Sequence, residues 1–277
     1  MDAHLRIRNV NGMPAAAPHA VPYSEVAPPP ALRDALVCLW GHQEGAAGER
    51  AQTVLPDACV DILWVDAGEP VVAGPATRSV IARVAPGTAV VGARFRPGWC
   101  AGVLGVDASE LRDQHLPLRA VAPALARAFS SEVADRDRLV DKVAVARTLL
   151  ERYLAHTAPP DEVVRGTVRW LAAHPHGRVH ELSRALYLSE RQLQRRLLAA
   201  SGYTPKTLHR ILRFQRLLAL AGRAGHGDSL ATLALRAGYA DQAHMTRDLR
   251  ELAGATPSTL LPDAGSALQM AGLFDVV

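Results

Sequence analysis

Lysine is nearly missing from this chain of 277 residues: Lys142 and Lys206 are the only two, so 29 of its 31 basic side chains are arginine. Cysteine is scarce as well. Cys38, Cys59 and Cys100 are too few and too scattered for a disulfide framework, and no CxxC pair occurs, so they read as reduced thiols. Nowhere is there the run of about 18 apolar residues that crosses a bilayer, and the first 22 residues hold no uninterrupted apolar segment of the secretory kind, so no membrane is expected as a partner and a cytoplasmic location is. GxGxxG, the Walker A loop, HExxH and the nucleophile elbow are absent too. Nothing points to an enzyme or to a cofactor.

What is present describes a globular chain of about two domains, 49% apolar and 21% charged. Its net charge of +4 is unevenly spread. Residues 1–160 hold 16 basic and 17 acidic side chains, whereas residues 161–260 hold 15 and 8, a net +7. Arginine suits phosphate and base-edge contacts through its planar fork. An Arg-rich, Ala-rich composition also follows from a GC-rich genome, so charge alone points only weakly to nucleic acid.

Residues 13–30, rich in Pro and Ala, are expected to be extended or loop-like. From 36 to 98, short apolar runs cut by Gly and Pro (LVCLW, ACVDILWV, PVVAG, SVIARVAPG, AVVGARFRPG) predict a small antiparallel sheet or barrel. Two short helices are expected over 107–129 and one long helix over 132–155. In the latter, Leu139, Val143, Ala146, Leu150 and Tyr153 make one apolar stripe, which covers the domain's own core or forms a dimer interface. The paired prolines of HTAPPDE, residues 156–162, mark the linker between domains 1–157 and 158–277.

The second domain repeats itself. Residues 182–208 laid over 234–260 give ten identities in 27 positions, and SGYTPKTL at 201 returns as AGATPSTL at 253. Each copy reads as a short helix (179–186, 229–237), a turn around Tyr187 or Gly238-Tyr239, and a second helix (189–200, 241–252), which is a helix-turn-helix. Ser189 with Gln192, and Asp241, are the expected caps. Gly202 and Gly254 stop the second helices, and Thr204-Pro205 and Thr256-Pro257 start the next ones. The repeated phrase is helix punctuation.

Leu193, Leu197 and Ala200, and Met245, Leu249 and Leu252, form the buried stripes of the second helices. The opposite faces carry Arg191, Gln194 and Arg195 in one copy and Ala243, Thr246 and Arg247 in the other. Arg and Gln make bidentate bonds to base edges, although most polar helix faces are simply solvated. Residues 205–222 form a helix of about 26 Å, long enough to let the two second helices enter successive major grooves about 34 Å apart. Arg210, Arg213 and Arg216 on it are candidates for phosphate contacts or for stabilising ones.

Over about residues 165–262, RALYLSERQLQRRLLAASGYTPKTLHRILRFQRLLALA and LATLALRAGYADQAHMTRDLRELAGATPSTL resemble the AraC/XylS family of bacterial transcription regulators. That resemblance implies two helix-turn-helix units joined by a long helix. It makes Arg191, Gln194, Arg195, Gln242, Ala243, Thr246 and Arg247 the positions facing double-stranded promoter DNA. Ala243 is small where a polar reader often stands, so the second unit is expected to position more than to specify. The N-terminal part looks like the companion domain of one subgroup, through VLPDACVDILW, AGP and GARFRPGWCAGVLGV, and does not look like an arabinose-binding cupin. Such a domain implies sensing of a small-molecule effector or homodimerisation, and an activator would also meet RNA polymerase.

Asp57, Cys59 and Asp61 lie beside Trp64. With Trp40, His42, Arg94, Arg96 and Trp99 they make a candidate effector pocket of aromatic walls and polar anchors. Cys59 and Asp61 alternate onto one strand face. The cysteines read as core residues first; a covalent alkylation or redox sensor, or a metal sensor, is the alternative. His174, His176 and His180 straddle a Pro-Gly turn without a fourth ligand and read as a loop. The overall expectation is an α+β chain: a small antiparallel β domain with flanking helices, then an all-α domain.

Overall fold

The computed structural model describes residues 5–9, 23–43, 50–66, 68–223 and 228–261. Most of the Pro/Ala-rich segment therefore lies outside the described residues, and its end forms a short strand and the loop that follows. Among the described residues nine strands form two antiparallel sheets. Three strands, β1 (Leu5–Asn9), β4 (Arg50–Val54) and β7 (Val80–Val84), pair in the order β1-β7-β4. Six more pair as β2-β3-β8-β5-β6-β9: β2 (Tyr23–Val26), β3 (Leu36–Gln43), β5 (Val60–Val65), β6 (Val71–Ala73), β8 (Ala89–Phe95) and β9 (His115–Pro117).

Successive side chains of a strand point to opposite faces, and here the two faces serve different cores. Leu36, Leu39, Val60, Ile62, Trp64, Val91, Ala93 and Phe95 pack under α1 (Cys100–Leu104), α2 (Pro123–Glu132) and α3 (Leu139–Leu154). Cys38, Trp40, Cys59, Leu63, Val65 and Val90 belong to the other cluster, which runs on into the C-terminal helices. A register shift between Leu36 and Cys38 lets β3 place both Val37 and Cys38 in that second cluster.

The stripe on α3 is spent inside the chain. Val143, Ala146, Leu149 and Leu150 are buried against the sheet, Leu139 packs over Gly41, and the Tyr153 hydroxyl donates to the Val103 carbonyl at 3.0 Å. Each fully buried leucine here contributes about 1.5–3 kcal/mol. The expected helices of 107–129 are corrected: that stretch holds two 3-10 turns and the edge strand β9, with α2 starting at Pro123. The run expected as one helix over 132–155 breaks between Glu132 and Leu139.

Beyond the prolines, Asp161 accepts a hydrogen bond from Val163 N at 2.9 Å and opens α4 (Glu162–Ala173), a helix the sequence pattern does not announce. The remaining helices fall where the repeat places them: α5 (Val179–Ala185), α6 (Glu190–Ser201), α7 (Pro205–Arg223), α8 (Leu230–Ala237), α9 (Gln242–Ala253) and α10 (Pro257–Leu260). Ser189 and Gln192 form the capping box, and Asp241 accepts from His244 N at 2.6 Å. Gly202 (φ 76°) and Gly254 (φ 67°) end the second helices in the left-handed conformation. Thr204 caps α7 by accepting from Thr207 N at 3.2 Å, but Thr256 makes no such bond; its hydroxyl meets those of Ser258 and Thr259.

The β-rich part and the helices share a packed boundary. The Tyr203 hydroxyl donates to the Ala76 carbonyl at 2.8 Å, Gln215 Nε2 donates to the Pro56 carbonyl at 2.6 Å, and Ser79 N donates to the Leu252 carbonyl at 2.7 Å. Gly202 lies so close to Pro75 that a Cβ there would sit 2.5 Å from its ring.

Candidate nucleic-acid interface

Two helices present matching polar faces. On α6, Arg191, Gln194 and Arg195 are exposed while Leu193 and Leu197 are buried. On α9, Gln242, Ala243 and Arg247 are exposed and Thr246 is half-buried, over buried Met245, Leu249 and Leu252. The Thr246 hydroxyl donates to the Gln242 carbonyl at 2.8 Å, which leaves its lone pairs free to accept.

Several neighbouring arginines are tied down, although Arg184 and Arg250 are exposed and unpaired among the described residues. Arg196 pairs with Asp161 at 2.7 Å, and Arg210 holds Asp248 at 2.8 Å and also Glu251. Arg216 Nε donates to the Arg236 carbonyl at 3.1 Å, and the Arg213 guanidinium lies 5.6 Å from the centre of the Tyr239 ring. Of the two roles open to Arg210, Arg213 and Arg216, these contacts are stabilising ones within the domain. Arg191, Gln194, Arg195 and Arg247, by contrast, make no side-chain hydrogen bond or ion pair among the described residues. Unpaired donors on the first two turns of two equivalent helices can engage phosphates and base edges.

Two family models match the chain: a helix-turn-helix domain over residues 182–262 and a domain of unknown function, DUF6597, over residues 24–117. Over residues 182–262 the chain thus matches a helix-turn-helix domain, the unit that the repeat forms. No curated protein matches the chain. Similar solved structures include ToxT from Vibrio cholerae, at 11% identity and a TM-score of 0.43 over 77% of this chain and 98% of that one. ToxT from strain O395 follows at 8% identity and 0.39 over 94% and 98% of the two chains. A ToxT bound to an unsaturated fatty acid follows at 9% and 0.41 over 79% and 96%.

Of the histidines in the helical part, His209 is buried, whereas His174, His176 and His180 are exposed. The His174 ring stacks on Trp170, 4.6 Å between centroids, and the His174 carbonyl lies 3.0 Å from Nε2 of His209. Burial and the nearby Arg213 push the His209 imidazole down to about 4. No group of three metal-ligating side chains is found among the described residues.

On the β-rich side, the candidate effector residues are divided between the two faces. Trp40, His42, Cys59, Asp61 and Arg94 share the inner face, the one that continues toward the helices. Trp64 and Trp99 lie in the opposite cluster, and Arg96 Nε donates to the Arg33 carbonyl at 3.0 Å. Strand alternation, applied to the whole motif rather than to Cys59 and Asp61 alone, separates Trp64 from Asp61.

Arg94 is the centre of the inner face. It is 1% exposed, lies opposite Asp61 in the β5–β8 ladder, and pairs with Asp61 at 3.2 Å, Asp57 at 3.1 Å and Glu25 at 3.8 Å. Burial raises the Asp57 carboxyl above its usual range, which Arg94 opposes and Asp61 reinforces. The Trp40 indole lies flat on Gly92, where a Cβ would come within 2.0 Å of the ring, and its Nε1 has no acceptor. Burial also raises all three thiols well above their ordinary range, Cys100 up to about 12. Such thiols hold almost no nucleophilic thiolate at neutral pH, which argues against a covalent sensor.

Proposed function

We propose that this regulator binds promoter DNA by placing α6 and α9 in successive major grooves of one duplex face, with residues 1–157 setting how the helices of 158–277 are presented. The observation that carries the reading is the pair of matching polar faces on which Arg191, Arg195 and Arg247 lack partners, whereas Arg196, Arg210 and Arg216 nearby are paired. Arg191, Gln194 and Arg195 supply most of the sequence readout. Gln242, Thr246 and Arg247 supply less, because Ala243 offers a base no polar atom. At 19 residues, α7 spans about 28 Å, which with the radii of the helices at its ends matches groove spacing.

The N-terminal region is the sensing part of this proposal. Its effector site is the inner sheet face of Trp40, His42, Cys59, Asp61 and Arg94, where the unsatisfied Trp40 Nε1 calls for an acceptor that an effector would bring. Pro56, next to Asp57 of the Arg94 cluster, accepts from Gln215 on α7, which gives a direct path from that face to the DNA-binding helices. RNA polymerase is a partner if the protein activates. A homodimer would need a surface other than the α3 stripe.

Selection of bound duplexes from a random library with the full-length protein tests the groove reading. Two short motifs about one helical turn apart are the expected result. Weak, salt-sensitive binding with no enriched sequence would overturn it. Repeating the selection with Gln215→Leu tests the coupling: an unchanged response to a small molecule that shifts the wild type would remove the proposed path.

A further inference from the structure

Tyr187 is 96% exposed and has φ 53°, in the left-handed region. Its counterpart in the fold is not the one the alignment suggests. In the first unit the turn closes by Leu188 N donating to the Ser183 carbonyl, and in the second by Tyr239 N donating to Ala234, each at 3.0 Å. The left-handed residue just before the donor is Tyr187 in one unit and Gly238, φ 102°, in the other. Tyrosine thus stands where the same chain elsewhere uses glycine. A bulky side chain in this conformation costs backbone energy, and at 96% exposure it recovers nothing by packing. Retained strain without a structural return points to an external contact.

Its place says which contact. Tyr187 lies two residues before Ser189, the cap of α6, and four before Arg191. With the start of α6 in a major groove, this turn lies at the groove edge, where phosphate oxygens are the available acceptors and tyrosine hydroxyls are among their usual donors. We propose that Tyr187 donates a hydrogen bond to a DNA phosphate and so sets the register of α6 on the duplex. The proposal rests on the groove reading of α6.

The test compares Tyr187→Asn, Tyr187→Phe and Arg195→Ala in the full chain, on the selected operator and on random duplex. Asn tolerates the left-handed conformation, so Tyr187→Asn is expected to leave Tm unchanged or raise it by about 2–4 °C. Both Tyr187 variants are expected to weaken operator and random duplex alike, by about tenfold, with the salt slope unchanged because a neutral donor releases no counterion. Wild-type binding by both, with Arg195→Ala still weakened on the operator, would overturn the proposal and leave the groove reading standing. Wild-type binding by Tyr187→Phe alone would overturn the phosphate assignment. Intact binding with lost promoter activity would assign Tyr187 to a protein partner instead. If Arg195→Ala also bound normally to the operator, the groove reading itself would fall.

Discussion

The two helix-turn-helix units share ten of 27 residues yet differ at their turns and in what holds them. The aligned tyrosines have opposite fates: Tyr187 projects into solvent, and Tyr239 is 0% exposed beneath Arg213, 5.3 Å from the His244 ring. A one-residue shift in where the first helix ends is enough, since it moves the left-handed position from Gly238 to its neighbour in the alignment. The second difference follows SG and AG of the repeated phrase. Tyr203 is buried and bonded to Ala76, while Ala255 takes its place in the second copy and reaches nothing comparable. The first unit is therefore docked through a side chain, and the second through the main chain of Leu252. Duplication supplied the helices, and divergence at two aromatic positions gave the units different turns and different docking contacts.

The largest effect expected from this asymmetry is at Tyr203. Tyr203→Ala should destabilise by about 3–5 kcal/mol in chemical denaturation, and Tyr203→Phe by about 1 kcal/mol for the Ala76 bond alone. Equal losses for the two variants would mean that the ring contributes little to docking. At the operator, Arg195→Ala should cost about 1–3 kcal/mol and relax one base position in the first half-site. Ala243→Gln, conversely, should sharpen base preference in the second half-site if that unit lacks only a reader.

The caps provide a finer comparison. Thr204→Ala should lose about 0.5–2 kcal/mol and Thr256→Ala almost nothing, because only Thr204 caps a backbone N–H. Comparable losses would show that the second cap forms in solution. The smallest effect concerns pH. His209 has its folded value near 4, below the ordinary 6.5, so the unfolded chain binds the extra proton in between. Stability should be fully present above about pH 6.5 and decline as pH falls toward 4, and His209→Asn should flatten that slope in thermal melts.

The helical part was legible because its signals are local. Ser189 with Gln192, Asp241, and the glycines at 202 and 254 act on their own turns, so spacing alone located α5 to α9 within one or two residues. The turn around Tyr187 was legible only as an alignment, since the helix end is decided by a hydrogen bond to Ser183 that identities do not encode. In the β-rich part, alternation identified Cys59 and Asp61 as neighbours, but assigning Trp64 and Trp99 to their face needed the sheet's second face to be known. The Arg94 cluster was half visible: both aspartates and the arginine were singled out, whereas their pairing depends on β5–β8 register and on Glu25 from a distant strand. Thr256 carries the right residue for a cap in the wrong geometry.

The main-chain bonds to Tyr203, Gln215 and Leu252 have a consequence for the operator. They fasten the ends of α6 and α9 and the middle of α7 to loops of the β-rich part, so the two helices proposed to read DNA keep a fixed angular phase as well as a fixed distance. Each base pair inserted between the half-sites turns the second groove by about 35°, and a protein held this way cannot follow it. Spacing tolerance should return only after a whole helical turn has been added and the β-rich domain has let go of one unit. On the proposed reading, the β-rich part thereby determines how rigidly the operator's geometry is measured.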